Sequence, residues 1–341
     1  MRSRRYIAVM AALLGLLAVV ALLSLGTGAV SISPGRVVDA LLWPSRLGAG
    51  SSDVTIVWEL RMARVLLAAL AGAGLAASGA GFQGLFRNPL ADPYVVGASG
   101  GAALGAALAI ILGLQLRGFG FSPVPLAAFV GSLLAVGVVY VIGEVGGSTP
   151  AVALLLAGVA LSTFLGAVVA LLMLLNDQSL YVIFGWLLGG FSGRSWPHLW
   201  ASAPYIVVGM GILWLMARPL DAMSFGEETA RSLGLPLSRA RAAVVAAASL
   251  TTGAAVAAGG LIGFVGLIAP HAARLLFGAG HARLIPASAL IGALLLLLAD
   301  DLARTVVAPL EIPVGIVTAM LGGPFFLYLL KTRQRALGAR R

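Results

Sequence analysis

The sequence predicts an all-α integral membrane protein of about ten transmembrane helices, and three observations carry the prediction. Hydrophobic residues make up 60% of the 341, and the mean hydropathy is +1.04. Charged residues make up only 10%, where a soluble domain carries roughly 25%. Apolar segments long enough to cross a hydrocarbon core of about 30 Å, at about 1.5 Å per residue, recur along the chain. No sizeable soluble domain fits between them, so residues 1–341 read as a single transmembrane domain.

The first segment, 6–26, follows a basic start (Arg2, Arg4, Arg5) and ends among small residues near Gly26. A secretory signal shares those features, but this stretch is long enough to span and reads as an uncleaved first helix. Segments 62–86, 95–114, 123–143 and 150–174 follow. An apolar piece at Leu180–Phe191 is too short to cross and reads as a re-entrant or interfacial helix. The remaining spans are 197–217, 240–259, 261–277, 284–305 and 313–331, of which 261–277 is short and interrupted by Gly and Pro. An even count puts both termini on one face. Fifteen of the 22 basic residues then share that face, and seven (Arg36, Arg46, Arg61, Arg64, Arg117, Arg194 and Arg304) lie opposite. Cytoplasmic loops are the Lys/Arg-rich ones, so both termini are expected in the cytoplasm.

Several function classes lack their residues. The isoelectric point near 11.1 does not imply nucleic acid, because the basic residues form no stripe interleaved with aromatics. Cysteine is absent, which removes disulfides, thiolate catalysis and cysteine metal sites. His198, His271 and His281 fit no HExxH spacing, so no metal site is expected. The only lysine, Lys331, follows Leu330 rather than the glycine of a phosphate-binding loop, so no ATPase site is expected in the chain. Ion-coupled carriers bury carboxylates near the midplane, whereas Glu144, Asp177 and Asp221 fall at predicted helix ends and Asp300 and Asp301 toward the outer end. The driving force for any transport is expected to come from elsewhere.

Four features stand out against this background. Gly81–Phe86 (GlyPheGlnGlyLeuPhe) and Gly263–Ile268 (GlyPheValGlyLeuIle) match, the first ending an inward helix and the second following an outward one. That is a short signature of an inverted internal repeat, an arrangement common in transporters. Glycines at helical spacing (Gly72, Gly74, Gly79, Gly81, Gly84) suit close helix packing in lipid, and the denser Gly97–Ala103 either packs likewise or opens a helix lining a pathway. In Ser224–Pro236, Ser224 with Glu227 reads as a capping box, Glu227 can pair with Arg231 four residues on, and Gly234 and Pro236 stop the helix. The result is a short helix on the cytoplasmic face, either an ordinary capped loop or a docking element. Arg61, Arg64 and Arg304 sit near outer helix ends, against the positive-inside trend. Asp300 can pair with Arg304 within its own helix, while Arg61 and Arg64 lack such a partner and are expected to meet acidic groups of another protein.

The chain resembles the FecCD family, the membrane subunits of bacterial ABC importers for iron–siderophores, heme and cobalamin. The resemblance spans nearly the whole sequence and is carried by Leu60–Arg64, Gln83–Pro93, Gly147–Pro150, Gly226–Gly234, Gly263–Arg274, Leu297–Arg304 and Glu311–Phe326. It implies the ABC type II importer permease fold in a bacterial inner membrane. The implied partners are a second permease copy (as a homodimer), two ATP-binding subunits that hold the ATP and Mg, and a periplasmic or lipid-anchored substrate-binding protein. The family's coupling helix maps onto Glu227, Glu228, Thr229, Ala230, Arg231, Ser232, Leu233 and Gly234, within a cytoplasmic loop of about 218–239. Its binding-protein arginines map onto Arg61, Arg64 and Arg304, and its cytoplasmic gate onto Asn88, Leu90, Ser148 and Thr149. The sequence departs from the family where Met62–Ala63 replaces a common LeuPro, and where Asp300–Asp301 doubles an acid that is commonly single. Beside this reading stands an ATP-independent secondary transporter of a small solute. No titratable set converges that would suggest a membrane enzyme.

Overall fold

The structure is a computed structural model and describes residues 2–28, 30–48, 51–114, 122–144 and 150–338. Ser148 and Thr149 lie outside the described residues. The described residues are helical and contain no strand. The helices are α1 (Arg2–Gly26), α2 (Pro34–Leu42), α3 (Ser52–Thr55), α4 (Ala63–Leu85), α5 (Ala98–Ile111), α6 (Val124–Ile142), α7 (Ala151–Leu175) and α8 (Asp177–Leu187). They continue as α9 (Trp196–Leu215), α10 (Ala217–Ser224), α11 (Glu227–Ser232), α12 (Leu237–Gly259), α13 (Val265–Phe277), α14 (His281–Thr305) and α15 (Val314–Gly338). Seven helical stretches are long and apolar enough to cross a membrane, and three shorter apolar helices (α5, α13 and the apolar part of α15) complete the ten expected segments.

Two helices form the centre. The spans containing α4 and α12 are each 78% buried, whereas α1 is 6% and α7 17% buried, so the first pair is enclosed by protein and the second is peripheral. Small residues make the enclosure possible. Gly72 packs on the Gly292 backbone of α14, and a Cβ on Gly79 would collide with the Gly266 carbonyl of α13. Gly101 and Gly131 bring α5 and α6 into the same backbone contact. Gly97–Ala103 therefore does open a helix, with Gly97 at φ +89°, but its glycines serve packing against α6 and α7.

The first correction concerns the second span. Its helix begins at Ser52, ten residues before the expected start, and runs through a π-helical turn at Ile56–Met62 into α4. Charge conceals this extension from a hydropathy reading, and its buried acid is met: Asp53 pairs with Arg36 at 2.6 Å. A second boundary moves for a backbone reason. α13 starts at Val265 rather than 261 because Gly260 and Phe264 take φ of +71° and +68°, which no helix continues.

α5 and α13, at 14 and 13 residues, are about 20 Å long. Each follows an irregular segment, Phe86–Gly97 or Gly260–Phe264, and the two segments meet. Tyr94 Oη donates to the Ile262 carbonyl at 3.0 Å and accepts from the Ile262 amide at 3.1 Å. Non-helical backbone within a membrane protein survives where protein satisfies its polar groups. The two copies of the repeated motif also touch, since Gln83 Nε2 of the first donates to the Gly266 carbonyl of the second at 3.3 Å.

Candidate functional site

Two ends of the bundle carry the candidate residues. α4 and α14 run between them in opposite directions, so one end holds Arg64 and Arg304 and the other holds Gly84 and His281.

At the arginine end, Arg61 occupies the π-helical turn, Arg64 the first turn of α4 and Arg304 the last turn of α14. Arg64 grips Asp300 through Nε at 3.0 Å and Nη2 at 2.9 Å, and its Nη1 donates to both Glu311 oxygens at 2.9 and 3.0 Å. Arg304 Nε lies 3.3 Å from Asp300, and its Nη2 pairs with Asp301. Arg61 donates to the carbonyls of Leu25, at 2.8 Å, and Val30. Asp300 is fully buried and the three arginines are at most 8% exposed. A buried guanidinium is costly unless it is paired; here Arg64 and Arg304 have carboxylates and Arg61 has backbone carbonyls, while Arg304 Nε is left without a hydrogen-bond acceptor. Arg61 and Arg64 have no partner in their own helix, as the sequence indicated, but other elements of the same chain supply acceptors to both. Two guanidiniums share three carboxylates, and Arg61 beside them offsets the remaining negative charge. Asp301, for which the sequence suggested no role, accepts from Ser24 and from Thr27 Oγ1 and fastens α1 to α14.

At the other end, α10 and α11 are separated by Phe225 and Gly226, the latter at φ +117°. The expected capping box does not form. Ser224 belongs to the last turn of α10, where its hydroxyl donates to the Asp221 carbonyl at 2.6 Å, and Gly226 takes the N-cap position. The stop signal does hold: Gly234 at φ +77° donates to Arg231 and Leu235 donates to Ala230, the paired bonds of a Schellman ending. Glu227 reaches Arg231 only at 4.0 Å and binds Arg241 of α12 more closely. Ala230 is buried and seats the helix, while Glu228, Thr229, Arg231, Ser232, Leu233 and Gly234 face outward. Phe225 and Leu233 flank α11 at 78% and 70% exposure, unusual for large apolar side chains beside charged ones.

Asn88 and Leu90 share this end, in the turn after α4. Asn88 is exposed, and its Oδ1 accepts the Leu90 amide at 3.1 Å, so the pair closes an Asx turn begun by Arg87 at φ +51°. The sequence reading missed two nearby links. Asp221 accepts both the amide (3.0 Å) and Nδ1 (2.6 Å) of His281, tying α10 to the start of α14. Gln83 accepts from Arg274 at 2.9 Å, tying α4 to α13. Both join residues far apart in sequence; a lone Gln inside an apolar glycine-rich helix is the only local signal.

A polytopic helical bundle with buried ion pairs at one end and a short exposed helix at the other is a transport subunit by architecture, with the ABC type II importer permease fold. Residues 16–332 match the FecCD transport family, and the chain belongs to that family. It is 45% identical over 86% of its length to the cobalamin import system permease protein BtuC of Halobacterium salinarum, covering 78% of that protein. It is 42% identical to the Fe(3+)-citrate import system permease protein YfmE of Bacillus subtilis over 94% of this chain and 93% of the other. Its fold superposes with a TM-score of 0.83, at 31% identity and over 95% of this chain and 99% of the other, on a metal-chelate type ABC transporter in an inward-facing conformation.

Proposed function

We propose that this chain is the membrane-spanning subunit of an ATP-driven importer and forms, with a second copy of itself, the path for a metal chelate across a bacterial inner membrane. The candidate cargo is an iron–siderophore, heme or cobalamin. ATP and Mg are held by two partner subunits that dock on Glu227–Gly234. A substrate-binding protein settles on the end bearing Arg61, Arg64 and Arg304. The segment around Asn88 and Leu90, with Ser148 and Thr149, is the cytoplasmic gate.

The observation that carries this reading is the run of rigid links from one end to the other. Force applied at α11 reaches α10, which the Asp221–His281 bonds fasten to α14. α14 is one continuous helix of 25 residues, with Pro286 in its second turn, and its far end is locked to the span of α4 by Asp300 and to α1 by Asp301. A docked ATPase can thereby move the arginine end without any ionisable group crossing the membrane.

The test is uptake into proteoliposomes that hold the chain with its ATP-binding subunits, after a UV–visible titration of the cognate binding protein has named the chelate. Uptake should require ATP on the α11 side. Uptake that persists without the ATP-binding subunits and follows a proton gradient would establish the secondary carrier instead.

A further inference from the structure

At the α11 end, a cavity of about 280 Å³ lies among the start of α1, the last turn of α13 and the first turn of α14. Arg5, Tyr6, Val9, Leu276, Phe277 and Arg283 line it. Arg5 and Arg283 are both exposed, and neither forms an ion pair among the described residues. Arg283 instead lies over the Tyr6 ring, 5.5 Å from its centre, and Tyr6 meets Phe277 edge-on at 5.1 Å. The rings thus fix the place of one guanidinium while leaving it without a counter-charge. No carboxylate lines the cavity. Asp221, the acid that reaches this end of α14, is committed to His281.

Two guanidiniums on one cavity repel each other, and an anion between them removes the repulsion. Their planar forks match the oxygens of a phosphate. At about 30 Å³ per water in the liquid, the space admits a phosphodiester rather than only a simple ion. Around the cavity the surface is apolar: the apolar window of α1 is 6% buried, and Ile7 and Leu276 are 62% and 55% exposed. A ligand with a phosphate at the arginines and hydrocarbon beside α1 satisfies both surfaces at once. Basic pockets between membrane helices hold anionic headgroups in this way. A zwitterionic headgroup fits less well, because its ammonium finds no carboxylate on the cavity wall.

We propose that this cavity binds the headgroup of one anionic phospholipid, with its phosphate between Arg5 and Arg283 and its acyl chains along the exposed face of α1.

The site is tested by native mass spectrometry of the whole chain in detergent, stripped of lipid and titrated with dioleoylphosphatidylglycerol or dioleoylphosphatidylcholine. One phosphatidylglycerol per chain should bind at least tenfold more tightly than phosphatidylcholine. Arg5→Gln combined with Arg283→Gln should bring the two affinities together. Arg218→Gln combined with Arg239→Gln removes two exposed arginines of the same end that do not line the cavity, and should leave the preference unchanged. Without lipid, the Arg5/Arg283 double variant should melt at the parent's midpoint, and added phosphatidylglycerol should raise only the parent's. Arg5→Gln alone leaves the Arg283–Tyr6 contact intact and should still weaken phosphatidylglycerol binding threefold or more, which separates loss of the site from loss of packing. Equal affinity for the two lipids, or tight phosphatidylglycerol binding that survives in the Arg5/Arg283 variant, overturns the site. An equal loss in the Arg218/Arg239 variant overturns it too, by assigning the preference to diffuse surface charge. Displacement of phosphatidylglycerol by an equal concentration of glycerol phosphate would replace the lipid with a soluble phosphate ester.

Discussion

Two arginines from different helices converge on one fully buried carboxylate, Asp300. Removing one partner of such a group strands the others, at about 3–5 kcal/mol. Asp300→Asn should accordingly lower the thermal midpoint of the purified permease sharply. Asp300→Asn combined with Arg304→Gln should recover part of the loss, since Arg64 keeps Glu311; a double variant no better than the single one would locate the cost elsewhere. Asp92 illustrates the opposite sign. It accepts the Tyr94 amide at 2.9 Å, yet burial raises its pKa from 3.8 to about 6. A carboxyl raised on folding holds its proton more tightly in the folded chain, so stability falls as pH rises from about 4 to about 6, and the full penalty is present above that window. Asp92→Asn keeps an acceptor for the amide and removes the charge. It should raise stability near neutral pH by up to about 3 kcal/mol and abolish the decline across the window. A thermal-midpoint series against pH for both proteins is the measurement, and parallel curves would show that the carboxylate is solvated.

At the scale of elements, α11 is held by Ala230 and Glu227 and turns most of its other residues outward. Phe225 and Leu233 are exposed, so replacing them with alanine leaves the permease's own packing unchanged. If they enter a groove on an ATP-binding subunit, Phe225→Ala with Leu233→Ala should leave the thermal midpoint within about half a kcal/mol of the parent while uptake falls tenfold or more. Arg231→Glu should separate ATP hydrolysis from transport. Wild-type uptake in these variants would remove α11 from the coupling path. The same element marks the limit of what sequence reveals. Its existence and its stop at Gly234 were legible, because a glycine followed by Leu and Pro just past a capped polar turn suits the left-handed position that ends a helix. Its start was not, because Ser224 bonds backward into α10 rather than forward, a choice set by the turn at Gly226. Hydropathy likewise revealed the ten apolar segments but not the helical stretch from Ser52, whose Asp53 and Arg61 find partners in other elements. Arg64 and Asp300 are separated by 236 positions, and the cavity lined by Arg5 and Arg283 is built from α1, α13 and α14. Contacts of that separation depend on helix assembly, which no local pattern encodes.

At the scale of the whole molecule, the arrangement is a pair of dissimilar ends joined by long helices, and the remaining question is which end faces which compartment. The charge distribution bears on it: the α11 end collects Arg218, Arg239 and Arg283, which form no ion pair among the described residues, while the other end commits Arg61, Arg64 and Arg304 to internal partners. Free positive charge, rather than arginine count, is what a membrane potential and anionic lipid act upon. By that criterion the charge imbalance supports the proposed orientation, with the α11 end in the cytoplasm. The chain contains no cysteine, so a single introduced thiol reports its side without background. Ser224→Cys and Ser192→Cys place exposed thiols at the two ends. In intact cells a membrane-impermeant maleimide should label only Ser192→Cys, and after permeabilisation it should label both. Labelling of Ser224→Cys from outside would invert the molecule, and with it the direction of transport.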